Sequence, residues 1–209
     1  MEIDCGAHLV RFLVIGDSHI PDRSQALPYE IQSGVTKLRQ IRPFDGVFCT
    51  GDLTVDDNIM ALLREWAGIG FLKIVQGNMD AEEGIDKPVF DSFTVPGTEI
   101  EIGLYHGTKI KPRGDREETE KFALQRGVQI VITGHSHAQD IFLTPSGILL
   151  LNPGSCVGAW SFVATGIPSY VLLEIQGKRI SVKLFELRLN KMHEKQSQFK
   201  IEGKKIVEA

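Results

Sequence analysis

Short apolar runs that stop at a glycine recur along the chain: FLVIG ends at Gly16, VFCTG at Gly51, KIVQG at Gly77 and IVITG at Gly134. Runs this short, rich in β-branched residues and closed by a turn residue, predict buried strands. Residues 25–41 follow the first with apolar positions at helical spacing; residues 58–68 follow the second, with Met60, Leu63 and Trp66 on one helix face. Strand alternating with helix predicts a mostly parallel sheet. The second half changes character. Residues 89–95, 99–105, 139–143, 147–151, 170–175 and 180–187 suit strands, and residues 116–126 are the one clear helix there. Together these elements predict an α/β fold, a four-layer αββα sandwich of two mixed sheets flanked by helices, over residues 1–189. Residues 190–209, NKMHEKQSQFKIEGKKIVEA, are rich in Lys and Glu with few apolar anchors, which predicts a polar C-terminal tail, solvated or loosely docked.

Composition narrows the classes of function. The chain has 209 residues, 42% of them hydrophobic, enough to bury one substantial core. Its net charge of −4 supplies no basic field for a nucleic-acid backbone or an anionic membrane, so long nucleic acid is not an expected partner. Residues 9–15 are far shorter than the roughly 20 apolar residues of a membrane span and are interrupted by Arg11, so no transmembrane segment is expected. Cys5, Cys49 and Cys156 lack CxxC spacing, which argues against a thiolate zinc site or a disulfide framework and fits a reducing cytoplasm.

The residues that follow the glycines carry the candidate chemistry. Gly16 precedes Asp17-Ser18-His19, Gly51 precedes Asp52, Gly77 precedes Asn78, and Gly134 precedes His135-Ser136-His137; Tyr105-His106-Gly107 supplies a fifth strand end. In an open α/β sheet the carboxyl ends of parallel strands converge on one rim. Residues two apart in an extended segment point to the same side, so Asp17 with His19, and His135 with His137, can each present a pair of donors. A lone histidine in a sheet protein is usually a hydrogen-bonded structural residue, and a lone Gly-Asp is usually a turn. The joint placement of four of six histidines with two Asp and one Asn at strand ends is what a metal site requires. Seven donors exceed one tetrahedral zinc but suit two ions with a bridging carboxylate, for which Asp52 is the choice. Carboxylate, amide and imidazole without thiolate point to manganese, zinc or iron, with manganese preferred. Two divalent ions on two ionised carboxylates leave about +2, which invites a phosphate.

In combination these motifs resemble the calcineurin-like metallophosphoesterase superfamily, whose pattern D-x-H, GD, GN-x-D/E, a histidine and GH-x-H reads here as DSH, GDL, GNMD, YHG and GHSH over about residues 10–190. The resemblance implies one metal held by Asp17, His19, Asp52 and His137, and another by Asp52, Asn78, His106 and His135. Asp52, Asn78 and His106 are then expected to carry catalysis. The segments GDSHIPDR, HGTKIKPRGD, LNPGS and TGIPSYVLLEI are similar to two related groups, small prokaryotic phosphodiesterases and the retromer subunit of the vacuolar protein sorting pathway. The first group implies hydrolysis of a phosphodiester. The second implies a trafficking scaffold that keeps a metal site with little catalysis, binds a helical-solenoid partner through apolar surface, and lies at membranes only through that complex. Homo-oligomerisation is a further expectation of neither group in particular.

One departure is Met79, where many active members carry a histidine thought to assist the leaving group; a thioether donates no proton. Asp80 either orients the site from behind or faces solvent in a turn. Arg23, Lys111 and Arg113 are candidates for phosphate contact, or solvated loop charges. Asn152 and Ser155 support the pocket or simply form the Pro-Gly turn. Ile20-Pro21, Trp160 with Phe162, and Ile167-Pro168 are candidate exposed apolar groups for a partner. His8 and His193 are expected at the surface.

Overall fold

The computed structural model describes residues 8–54 and 57–209, so Cys5 lies outside the described residues. The elements run β1 (Leu9–Ile15), α1 (Tyr29–Ile41), β2 (Gly46–Cys49), α2 (Asp57–Ala67), β3 (Phe71–Ile74), α3 (Asn78–Glu82), β4 (Phe90–Thr94), β5 (Glu101–Tyr105), α4 (Arg116–Arg126), β6 (Ile130–Ile132), β7 (Asp140–Leu143), β8 (Leu149–Asn152), β9 (Ser169–Gln176), β10 (Arg179–Arg188), β11 (Lys191–Glu202) and β12 (Lys205–Glu208). They form a seven-stranded sheet in the order β12-β11-β10-β9-β1-β2-β3 and a five-stranded sheet in the order β4-β5-β6-β8-β7.

Period-two alternation along the strands builds the layers. On β1, Phe12 and Val14 face the second sheet, where they meet Ile102, Leu104, Ile130, Ile132, Leu149 and Leu151 in the central core. Leu13 and Ile15 point the other way, onto Ile31 and Val35 of α1 and Ile59, Leu63 and Trp66 of α2. Across the second sheet Val131 and Leu150 turn outward to Ala123 of α4. The order is therefore helix, sheet, sheet, helix, the four-layer αββα sandwich expected from sequence. Helix α4 keeps its expected bounds because both caps are explicit. The Asp115 carboxylate accepts from Glu118 N–H at 2.9 Å, and Gly127 closes the helix in the left-handed conformation. By contrast α1 starts at Tyr29, not at residue 25, because Pro28, with ψ of 136°, holds the entry extended.

Two expectations need correction. The first sheet is not mostly parallel: β1, β2 and β3 pair in parallel, whereas β9, β10, β11 and β12 join them as an antiparallel meander. The crossover helices α1 and α2 serve only the first three strands, and short turns link the rest. Nor is residue range 190–209 a tail. Lys191–Glu202 and Lys205–Glu208 are strands, with β11 registered against β10 from Arg179↔Lys200 to Arg188↔Lys191. Phe199, Ile201 and Ile206 turn into the central core while intervening Lys, Glu and Gln face water. Averaged composition hides that alternation. Among the described residues, no helix is long and apolar enough to cross a membrane.

Candidate metal centre

The carboxyl ends of strands from both sheets meet at one rim. Asp17 and His19 follow β1, Asp52 follows β2, and Asn78 opens α3 shortly after β3. His106 follows β5 in the second sheet, and His135 and His137 follow β6. All seven converge. Donor atoms of Asp17, His19, Asp52 and His137 lie within 4.8 Å of one another, as do those of Asp52, His106 and His135, so Asp52 belongs to both groups and either group could hold a metal ion. Asn78 Oδ1 is 3.3 Å from His106 Nε2 and joins the second group. Asp17, His19 and His106 have no exposure at all, and Asp52, His135 and His137 no more than 4%; Asn78 alone is half-buried, so the cleft opens on its side.

The turns that carry these groups are unusual. Asp17, His19, Asp52, Thr54, His135 and His137 all have positive φ, between 45° and 65°. That left-handed region is disfavoured for residues with a Cβ and is held only where surroundings impose it. Gly77 and Gly134 are needed for a separate reason: a Cβ on Gly77 would collide with the Asp52 carboxylate, and one on Gly134 with the Asp17 carboxylate. At these two positions the glycine before one donor lets another donor approach.

Hydrogen bonding fixes the imidazoles. His106 Nδ1 lies 2.6 Å from Thr50 O, and His137 Nδ1 lies 2.9 Å from Ala159 O. A carbonyl only accepts, so each Nδ1 carries the proton and each Nε2 presents a lone pair. His106 Nε2 faces Asp52 Oδ2 at 3.3 Å, and His137 Nε2 faces Asp17 Oδ1 at 3.3 Å and His19 Nε2 at 3.1 Å. Acceptors therefore point at acceptors. His19 Nδ1 and His135 Nε2 are buried with no hydrogen-bond partner. Such an arrangement is stable only with positive charge between the groups.

In the absence of a cation, protons supply that charge. Burial tends to lower the His106 pKa, but Asp52 and Asp17 outweigh it and push it up to about 9. Burial would raise Asp52, yet the hydrogen bond and charge of His106 hold it at about 2. Asp17 is likewise held low against burial by His137 and His106. Burial dominates at His19 and His135, which fall to about 4 and stay neutral near pH 7. Two carboxylates, an amide oxygen and imidazoles, with no thiolate among them, are a donor set suited to first-row divalent ions. The residues fit the group.

Supporting residues explain how the strained turns are held. Asp80 is buried, and its carboxylate accepts from the N–H groups of Asp52 at 2.7 Å, Leu53 at 2.9 Å, Thr54 at 3.1 Å and Gly77 at 2.9 Å. Of the two readings of Asp80, the solvent-facing turn is excluded. Ser155 Oγ donates to Asp17 O at 2.7 Å, and Asn152 Nδ2 donates to Gly134 O and Ser136 Oγ, both at 3.0 Å. The NPGS segment therefore braces two of the donor loops. Met79 is half-buried, and its N–H donates to Asp52 Oδ1 at 2.8 Å. Arg23 donates to Trp160 O at 2.8 Å, Arg113 to His135 O at 3.3 Å, and Lys111 is exposed. Trp160 and Phe162 are exposed as expected, whereas Ile20 is buried and Ile167 half-buried. His8 and His193 are exposed, and Cys49 and Cys156 are buried free thiols. Thr50 and Ala159 escaped the sequence reading because they act through backbone carbonyls, which no side-chain pattern advertises. A recess of about 330 Å³ backs onto Ser136, lined by Arg113, Arg116, Thr119, Gln139 and Asn152, but none of the seven donors lines it.

A family model described as the calcineurin-like phosphoesterase superfamily domain matches residues 10–178. A probable metallophosphoesterase from Methanothermobacter thermautotrophicus is 31% identical over 171 residues, covering 82% of this chain and 89% of that protein. The crystal structure of wild-type Vps29 from Entamoeba histolytica complexed with zinc superposes with a TM-score of 0.77 at 30% identity, covering 90% of this chain and 99% of that one. Vacuolar protein sorting 29 from Cryptosporidium parvum gives a TM-score of 0.81 at 26% identity, over 92% and 99% of the two chains. Family and geometry together suggest divalent metal binding at the rim.

Proposed function

The chain belongs to the calcineurin-like phosphoesterase superfamily, and from that premise we propose that it is a metal-dependent phosphodiesterase whose rim holds two divalent ions, manganese by preference. One observation carries the reading: the Nδ1 atoms of His106 and His137 are anchored on backbone carbonyls, which turns the Nε2 atoms of both rings onto the carboxylates of Asp52 and Asp17. Asp17, His19, Asp52 and His137 would hold one ion, and Asp52, Asn78, His106 and His135 the other, Asp52 belonging to both donor groups. Bound there, such ions supply Lewis-acid stabilisation of phosphoryl oxygens and lower the pKa of an attacking water.

The chain's own groups do the rest. Asp52 and Asp17 neutralise part of the charge and leave a positive cleft for the phosphate. Thr50 O and Ala159 O keep His106 and His137 in one tautomer, so neither ring loses a proton as substrate arrives. Asn78, at the open side, offers its amide to a phosphoryl oxygen as well as to the metal. With Met79 supplying no proton, substrates with activated leaving groups are preferred. The purified protein, stripped of metal and reloaded with manganese, is expected to hydrolyse an activated phosphodiester, and Asp52→Asn to lose at least about a hundredfold in turnover. Failure of every divalent ion to restore turnover would overturn the reading.

A scaffold role is the second reading, favoured by the likeness to the Vps29 structures and by an apolar groove of about 300 Å³ lined by Tyr29, Leu38, Tyr170, Phe185 and Met192, none of them a metal donor. In that reading metal binds without turnover and a protein partner occupies the groove.

A further inference from the structure

Beside the centre, the chain between β8 and β9 sets two aromatic rings in water. Trp160 is 65% exposed and Phe162 83%, and the rings meet edge to face with centroids 5.0 Å apart. Their backbone is not loose. Ser161, between them, is buried, and its Oγ donates at 2.6 Å to the carbonyl of Ser136, the residue between His135 and His137. Ala159, before them, accepts from His137 Nδ1 at 2.9 Å and donates its N–H to Ser155 Oγ at 2.8 Å. Arg23, whose N–H bonds His19 O at 2.8 Å, places its guanidinium against Trp160 O at 2.8 Å. Both donor loops, Asp17–His19 and His135–His137, are therefore tied to the segment that presents the rings.

Fold stability does not account for this placement, because the rings forgo burial while the residues around them are packed. A positive cleft with a fixed aromatic face beside it suits a ligand with a phosphate at one end and a flat π-system at the other. We propose that Trp160 and Phe162 form a stacking platform for the base of a nucleotide, so that the substrate class is a small nucleotide phosphodiester; this rests on the hydrolytic reading above. The base stacks on Trp160, which Phe162 supports edge to face, Arg23 adds positive charge beside the platform, and the net charge of −4 disfavours long polymers. An aliphatic diester gains nothing comparable from the platform.

The chain contains two tryptophans, and Trp66 is fully buried, so ligand quenching of tryptophan fluorescence reports on Trp160. On the manganese-loaded full chain, adenosine monophosphate is expected to quench and to bind roughly tenfold more tightly than inorganic phosphate. In Trp160→Ala the quench disappears and the tenfold advantage is lost by competition measurement; Phe162→Ala loses a smaller part of it. Equal binding of the two ligands without quenching, or an undiminished advantage in Trp160→Ala, overturns the platform even while diester turnover persists, and assigns the rings to a protein contact. Quenching and tight adenosine monophosphate binding with no turnover of any diester sustains the platform and removes the hydrolytic reading instead.

Discussion

At the β10–β11 turn, Leu189 and Asn190 have φ of 49° and 58°; at the ends of β1, β2 and β6, six non-glycine residues have φ between 45° and 65°. The backbone conformation is the same in the two regions, but its cause differs. Two consecutive left-handed residues let a hairpin turn follow the right-handed twist of its strands, so the conformation at Leu189 and Asn190 is a local solution. Leu189 is 96% exposed and nothing around it needs that residue in particular. At the rim, each strained residue is buried and held by groups from elsewhere: Asp80 collects four N–H groups, Ser155 grips Asp17, and Asn152 grips Gly134. Strain imposed from outside marks a place where side-chain position matters more than backbone comfort.

Removing an outside support is the strongest way to break the contrast. Asp80→Ala leaves four buried N–H groups without their acceptor and is expected to cost about 4 kcal/mol, a fall in Tm of roughly 10 °C, with metal affinity falling too. Asp80→Asn, which keeps one carboxamide oxygen, should recover part of both. Calorimetry and metal titration on the same samples check this; unchanged metal affinity in a folded Asp80→Ala would show that the turn holds its shape without the carboxylate.

The meander has its own buried charge, and it behaves differently. Glu186 on β10 is 1% exposed and meets Gln139 Nε2 at 2.6 Å, Arg188 at 3.0 Å and Lys195 at 2.8 Å. Burial would raise its pKa, but the hydrogen bonds from Arg188, Lys195 and Gln139 hold it at about 2. A depressed carboxyl contributes stability that is complete above its unfolded value of 4.5 and is lost as pH falls towards about 2. Because Arg188 and Lys195 are themselves largely exposed, solvent screens the cluster, and Glu186→Gln is expected to cost about 2 kcal/mol at pH 7. The penalty should shrink across the acid window as the wild type loses its advantage. Denaturant melts from pH 7 to pH 2 test the sign, and a penalty that grows on acidification would refute it. Smallest of all, Leu189→Gly relieves the hairpin's left-handed residue and is expected to stabilise the protein by about 0.5 kcal/mol, measured by the same melts.

These contrasts also explain what the sequence revealed. The seven donors were legible because Asp17, Asp52, Asn78, His106 and His135 each adjoin a glycine near a strand end and His19 and His137 stand two residues beyond such a donor; at Gly77 and Gly134 the glycine allows close approach between loops. Layer order was legible from apolar runs alone. Supports such as Thr50 O and Ala159 O were not, since every residue type carries a carbonyl. Asp80 stayed open between two readings because its four partners come from two separate loops. The β10–β11 hairpin was missed because its turn is Leu-Asn without glycine and β11 is polar on one face, so composition resembled a tail where alternation encoded a strand.

The central claim is that the two donor groups sharing Asp52 hold two ions, and counting metal per chain tests it most directly. After equilibration with manganese and removal of free ion, elemental analysis should find two ions per wild-type chain, chiefly one in His137→Ala, and a loss at both positions in Asp52→Asn. A wild-type count of one or none, or an undiminished count in Asp52→Asn, would contradict the account.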